Sequence, residues 1–502
     1  MVATTLQELV ENPYAAKSYI VILKPYDTVA AATETVYLSD RGYVSEPTES
    51  PANTYFDPRV IEALNFQRSM FTTGKLGGQS FPSFGEIVLA NADGGLDDFA
   101  TYAWDDREVE VKVGEKGANL SQHFTIFKGQ SKSVDFDDLI VRVIIRDGQD
   151  KFTRTFPPNT YAGTGGNEGS AIMEGLPKPI CLGQVFNITP VLVDEANDVY
   201  QVHDGPIESI VAVYEDGQEN TSFTADLANG RFTLTGGGGG GGGSQGNITA
   251  DVKGAKPGGS YKETAGDIMR FVATEYGGLT DPGDLDTASF TALNTANSAT
   301  VGCYYSNRAE ILSVLDDLAN SVGAFYGFDR SGLFSVGRIE IASGSADLEL
   351  DSTNIITLER LPTETPTSTV VFQYKKNFTV FDDNTLATNP SDRDFFLRES
   401  AQVTDEDTAV AAIYPNAQFL EVESKMIDSS AASTESARLL ALYKVQRNIY
   451  RIRCKAQPFT IKLNDVVKIT FARYDLTAGK LFRVISLFED AAINEVELEL
   501  WG

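Results

Sequence analysis

A chain of 502 residues that is 42% hydrophobic and 10% aromatic is too long for one compact core and can fold roughly three or four domains. Its formal charge of -29 argues against phosphate-clamping nucleic-acid recognition and against adhesion to anionic lipid, since both depend on clustered Lys and Arg. Cys181, Cys303 and Cys454 lie too far apart for a CxxC pair or a zinc-type site, and so sparse and odd a count fits free buried thiols in a reducing cytoplasm.

The 44 glycines and 19 prolines point to many turns and short strands, so the expected fold class is mainly β with some α (α+β) and several domains. The opening MVATTLQELVENPYAAKSY has neither the basic start nor the apolar core of a signal peptide. No apolar run reaches the ~20 residues of a membrane helix. The expectation is a soluble protein made in a cytoplasm.

After a short helix-like lead, residues 18–24 and 35–38 read as strands, followed by the turn-rich loop RGYVSEPTESPANTYFDP. Residues 84–89 and 108–113 continue a β domain, with Val109, Val111 and Val113 on one face. Between them NADGGLDD (91–98) lacks the EF-hand spacing with its distal Glu, and its Asp-Gly pair predicts a hairpin turn. In 138–146 Leu139, Val141, Val143 and Ile145 alternate with residues that include Arg142 and Arg146, which predicts a strand with an apolar inner face. The Pro- and Gly-rich loop that follows is predicted to be mobile over 159–169 unless a neighbour orders it.

The stretch GLPKPICLGQVFNITPVLVDEANDVYQVHDGPI (175–207) is dense in shape-fixing residues and nearly empty of reactive ones. Pro177, Pro179 and Pro190 lock their own φ, Gly183 and Gly205 permit turns, and 191–193 reads as a short buried strand. Residues 209–214 add a strand that ends at the turn EDGQEN. The eight glycines 236–243 are followed by Ser244, Gln245 and Gly246 rather than the Lys-Ser or Lys-Thr of a phosphate loop. They read as a flexible loop or connector, or else as a glycine surface packed against another chain.

Two amphipathic helices come next. Ile268, Met269, Val272 and Tyr276 form one stripe within 264–276, and Ile311, Leu315, Leu318 and Val322 form another within 308–322. Asn307 and Glu310 make a capping-box-like start to the second, and Gly323 lies where it would stop. FYGFDRSGLFSVGRIE (325–340) reads as a hairpin packed on that helix. A strand at 369–374 and a Ser/Ala-rich helix over 433–446 precede strands at 450–454, 466–470, 481–488 and 495–500, which predict a barrel or sandwich. The expected domains are a β domain (1–150), an inserted β domain carrying the Gly-rich loop (151–260), a helix–hairpin domain (261–345) and a C-terminal β domain (346–502).

Chemistry is hard to find. The two histidines, His123 and His203, have no G-x-S-x-G elbow and no helical His partner, and read as structural. The pairs Asp97/Asp98, Asp137/Asp138 and Asp316/Asp317 have the chemistry for glycoside cleavage, but nothing in the sequence selects one. No catalytic, cofactor-binding or metal residue is assigned. The expectation is a protein that is not an enzyme and carries no cofactor.

Three blocks carry a family resemblance: the 175–207 stretch, AEILSVLDDLANSVGAFYGFDRSGLFSVGRI (309–339) and NDVVKITFARYDLTAGKLFRVISLFED (464–490). In this order they resemble the tail-hub, or baseplate-hub, proteins of long-tailed siphophages, related to the hubs of transposable phages and gene transfer agents. The resemblance implies a homotrimer whose subunits each carry two tail-tube-like β-barrel or sandwich domains, here the first and the last. Three chains would then offer six units to a hexameric tube ring and threefold symmetry to the tip.

Implied partners are the distal tail and tail-tube ring proteins, the central fibre or tip proteins and the tape measure protein. Genomic DNA would pass through an acidic channel without specific binding. The implied location is the tail tip or baseplate of a virion made in a bacterial cytoplasm. Some related hubs hold an iron–sulphur cluster through four cysteines, against which three distant ones argue. The alternatives are a tip-associated glycan-degrading hydrolase and a host-receptor or carbohydrate-binding tail protein.

Overall fold

The computed structural model describes residues 3–12, 14–71, 83–235 and 246–502. The eight-glycine run therefore lies outside the described residues. Strands predominate, in several sheets, so the chain is mainly β and multidomain.

The first β unit grows from alternation. Val109, Val111, Val113, Val141, Val143 and Ile145 all point into one buried core with Val21, Leu64 and Phe127. Leu139 departs from its expected place because the strand starts at Ile140; the Asp137 N–H bonds to the Ile140 carbonyl at 2.9 Å, which leaves Leu139 exposed in the turn. NADGGLDD forms a turn but not a hairpin. Phe84–Ala90 pairs with Val60–Ser69 and Ile140–Arg146, whereas Arg107–Glu115 pairs with Lys17–Leu23 and Phe124–Phe136. The turn is held by the Asn91 carboxamide, which accepts the Leu96 N–H at 2.7 Å.

The second β unit comes from the other end of the chain. Tyr450, Ile452 and Cys454 are buried with Leu498 and Leu500, while Arg451 and Arg453 face outward. Its longest strand, Lys480–Asp490, has two partners along one edge. The first part pairs with Val466–Ile469, and Ser486 to Asp490 pair with Ser69 to Asn65. That second pairing fuses both units into one 13-stranded sheet. Of the expected barrel or sandwich, the barrel is corrected here: no sheet among the described residues closes on itself, because the strand that would finish one unit is shared with the edge of the other.

The 175–207 stretch is architectural for a specific reason. Its strand Ile180–Ile188 lies in a five-stranded sheet and is buried on both faces. Ile180 and Leu182 enter a helical core, while Cys181, Val185 and Ile188 enter a separate core with Val213, Phe232 and Val252. Of 191–193 only Val193 is fully buried, since this strand lies in a smaller four-stranded sheet with its other face outward. The loop at 159–169 is held by the chain itself. Tyr161 is buried and donates to Gln201 Oε1 at 2.8 Å, and Lys178 pairs with Glu168 at 2.8 Å.

The helical core joins Ala265–Glu275, Thr287–Ala296 and Ile311–Ser321 to the hairpin Ala324–Phe328 and Phe334–Arg338. Residues 362–446, grouped by sequence with the C-terminal β domain, contribute here instead: Val370, Phe372, Met426 and Leu439 pack with Ile268, Val314 and Phe334. The described residues thus make a platform (3–12, 14–71, 83–146, 346–361 and 447–502) and an arm (147–235, 246–345 and 362–446).

Asn307 and Glu310 do not cap the third helix. Ala309–Glu310 forms a short strand with Thr155–Phe156, and the helix starts at Ile311 without a side-chain cap. By contrast Asp428 accepts the N–H groups of Ser430 and Ala431 at 2.9 and 3.0 Å. Asp428→Ala is therefore expected to lower the urea unfolding midpoint and Asn307→Ala to leave it unchanged.

Candidate functional site at the domain junction

The residues singled out by chemistry do not converge. His123 is buried with Nδ1 3.0 Å from the Asn119 carbonyl, and burial lowers its pKa. His203 accepts the Cys181 N–H at 3.1 Å, and burial lowers its pKa to about 4. A neutral ring is the form that can accept this bond.

The carboxylate pairs are dispersed and engaged locally. Asp97 accepts from Asn91 Nδ2 at 2.9 Å, and Asp137 from the Asp138 N–H at 2.7 Å. In the arm, Asp316 accepts from the Tyr326 hydroxyl at 2.7 Å and Asp317 from the Tyr305 hydroxyl at 2.7 Å. The three cysteines are free and buried, with burial pushing Cys303 and Cys454 up to about 12. Cys181 and Cys303 lie on paired strands but on opposite faces, because Cys303 stands opposite Leu182 while Cys181 stands opposite Tyr304. Among the described residues no group of three or more His, Cys, Asp or Glu is placed to hold a metal ion.

What does converge is charge at the boundary of platform and arm. Glu489, on the Lys480–Asp490 strand, is fully buried. Its Oε2 accepts from Arg68 on Val60–Ser69, and its Oε1 accepts from Arg330 Nη2 at 2.7 Å. Arg330 comes from the turn of the arm's hairpin and also donates to the Ile461 carbonyl at 2.8 Å. One carboxylate thus ties together the first β unit, the second β unit and the arm.

Burial lowers the Arg330 pKa, opposed by the nearby Glu489 charge. A cavity of about 350 Å³ adjoins the triad, lined in part by Asp329, Asp465 and Arg483. Sequence reading passed over this site although two signals were present: Arg68 follows Leu64 and Phe66 in the buried phase of its strand, and after a bulge Leu487 and Glu489 occupy the buried phase of theirs, where charged groups need partners.

A second buried carboxylate stands beside Arg68. Asp147 accepts the N–H groups of Ser83 and Gln149 at 3.3 and 3.0 Å, yet burial raises its pKa to about 6. A carboxyl raised in the folded state above its ordinary value binds its proton more tightly when folded. Stability from this group is therefore present at low pH and lost as pH rises through about 6. Going from pH 7.5 to pH 4.5, the wild type is expected to gain about 2 kcal/mol relative to Asp147→Asn, read from urea midpoints at both pH values. Parallel pH profiles would remove Asp147 from the balance.

No family model and no curated protein matches this chain. Among solved structures it is similar to the tail protein from Neisseria meningitidis MC58, at 9% identity over 96% of each chain with a TM-score of 0.45. It is similar also to the prophage tail protein gp18 from Listeria monocytogenes EGD-e, at 9% identity over 97% of this chain and 94% of that one, with a TM-score of 0.41. The 43 kDa tail protein of prophage MuSo2 from Shewanella oneidensis shows 10% identity over 96% and 95% of the chains, with a TM-score of 0.39.

Proposed function

We propose that this chain is a structural hub of a phage tail, adapting a hexameric tube to a threefold tip as a homotrimer. The observation that carries the reading is the pair of β units drawn from opposite ends of the chain, each with its own core, joined edge to edge in one sheet. Three copies of such a pair supply six β units, which is what a sixfold ring requires of a threefold partner. The order of the three sequence blocks supports the same reading.

In this role the chain works by shape, and its neighbours are tube-ring proteins above, fibre or tip proteins below and the tape measure protein within. The outward face of the second unit bears Glu359, Glu495, Glu497 and Glu499 around Arg451 and Arg453. Together with the net charge of -29, that face favours a lumen that repels DNA phosphates. Imaging of assembled particles tests the proposal. Three copies directly below hexameric rings are expected; peripheral appendages would replace the hub with a receptor-binding role.

A further inference from the structure

We infer that the Arg68–Glu489–Arg330 triad is the latch of a hinge between platform and arm, so that the arm can swing as a unit while both bodies stay folded. The platform cores and the main arm core share no residue. The chain passes between the bodies near 146, 345, 361 and 446, and these connections are the hinge positions. Bodies with independent cores move relative to one another unless a large apolar interface holds them.

The junction is mixed. Its apolar part is a cluster of Met70, Phe71, Phe325, Ile339, Leu442 and Trp501, flanked by half-buried Tyr443, Ile449, Leu463 and Ile485. The remainder comprises the triad, the cavity, and bonds such as Asn464 Nδ2 to the Arg338 carbonyl at 3.2 Å and Arg483 Nε to the Glu340 carbonyl at 3.3 Å.

The energetics of a buried triad suit a latch. Closed, all three charges are paired but dehydrated; open, all three are hydrated, so closing gains ionic pairing only against a dehydration cost. Intermediate states with one charge stranded in the interior are the expensive ones, which makes the motion two-state. Arg330 is already poised for hydration, since its Nε is buried without a hydrogen-bond partner. An apolar contact in the same place would favour only the closed form.

Native-state hydrogen exchange tests this, comparing the full-length wild type with a variant carrying Arg68→Met, Glu489→Leu and Arg330→Met. The reporter is the Lys128 amide, which crosses the junction to the Arg330 carbonyl at 2.9 Å; the controls are core amides at Val111 and Ile452. In the apolar variant the reporter is expected to slow about tenfold or more while the controls change little, because only the sub-global opening has been removed. Equal reporter rates in the two proteins would overturn the latch.

A second readout is the distance between spin labels at Ile172→Cys on the arm and Ile493→Cys on the platform, both exposed sites. Glu489→Gln is expected to populate a longer distance that the apolar variant lacks. A single unchanged distance in both would also sink the inference.

Discussion

Glu489→Ala is expected to cost about 3–5 kcal/mol of stability, among the largest losses available from one side chain in this chain. The reason is what remains behind. Arg68 and Arg330 are both buried, and Glu489 is the carboxylate that both of them meet. Without it two guanidinium groups face one another in a low-dielectric junction, and each loses its ionic hydrogen bond. Urea unfolding followed by circular dichroism measures the effect. The control is Glu108→Ala, which breaks a half-exposed pair with Lys24 and is expected to cost under about 1 kcal/mol. Equal midpoint shifts for the two variants would show that the triad is hydrated in solution.

Gly302→Ala is the second large effect, expected at about 3 kcal/mol through overpacking in a place that cannot yield. Gly302 stands opposite Gly183 where Gly302–Tyr305 pairs with the doubly buried strand, and a Cβ at 302 would lie 1.7 Å from the Gln184 carbonyl oxygen. Gly183→Ala is worse placed still. Its φ is +66°, and its Cβ would lie 1.9 Å from the Val301 carbonyl oxygen. Either substitution pushes apart two strands that separate the helical core from the core of Val213, Phe232 and Val252, so both cores loosen together. The matched control is Gly344→Ala, with φ of +83° and nothing within 4 Å, which pays only backbone strain of about 1 kcal/mol. Thermal midpoints of the three variants would show whether close approach, rather than φ alone, requires these glycines.

Local patterns carried much of the fold. Alternation in 108–113 and 450–454 placed the right side chains inward, and the helical stripe of Ile311, Leu315, Leu318 and Val322 is wholly buried. The failures share a cause. Asn307 and Glu310 looked like a capping box because spacing alone defines that motif, yet the backbone there is drawn into a strand with Thr155–Phe156. NADGGLDD looked like a hairpin because Asp-Gly favours tight turns, but the flanking strands find partners elsewhere in the sheet. A turn residue shapes four residues of chain; it does not choose which strands pair.

The candidate site was less legible than the fold. Its residues stand at positions 68, 330 and 489, far apart in sequence and unremarkable one by one. An arginine in a turn reads as solvated until something packs over it. Arg68, in phase with Leu64 and Phe66, and Glu489, in phase with Leu487, both broke a local rule, but a bulge between Val484 and Ser486 obscured the phase of the second.

By itself, then, the sequence determined the periodicities: which segments are strands or helices, which faces are apolar, and that a proline- and glycine-rich stretch would serve architecture. Tertiary structure alone decided that the two β units merge through one shared strand, that 362–446 belongs to the arm, and that three distant charges meet. The physical reason is range. Periodicity is written within a few residues by backbone geometry, whereas edge pairing and the partnering of buried charges depend on which surfaces the folded chain brings together.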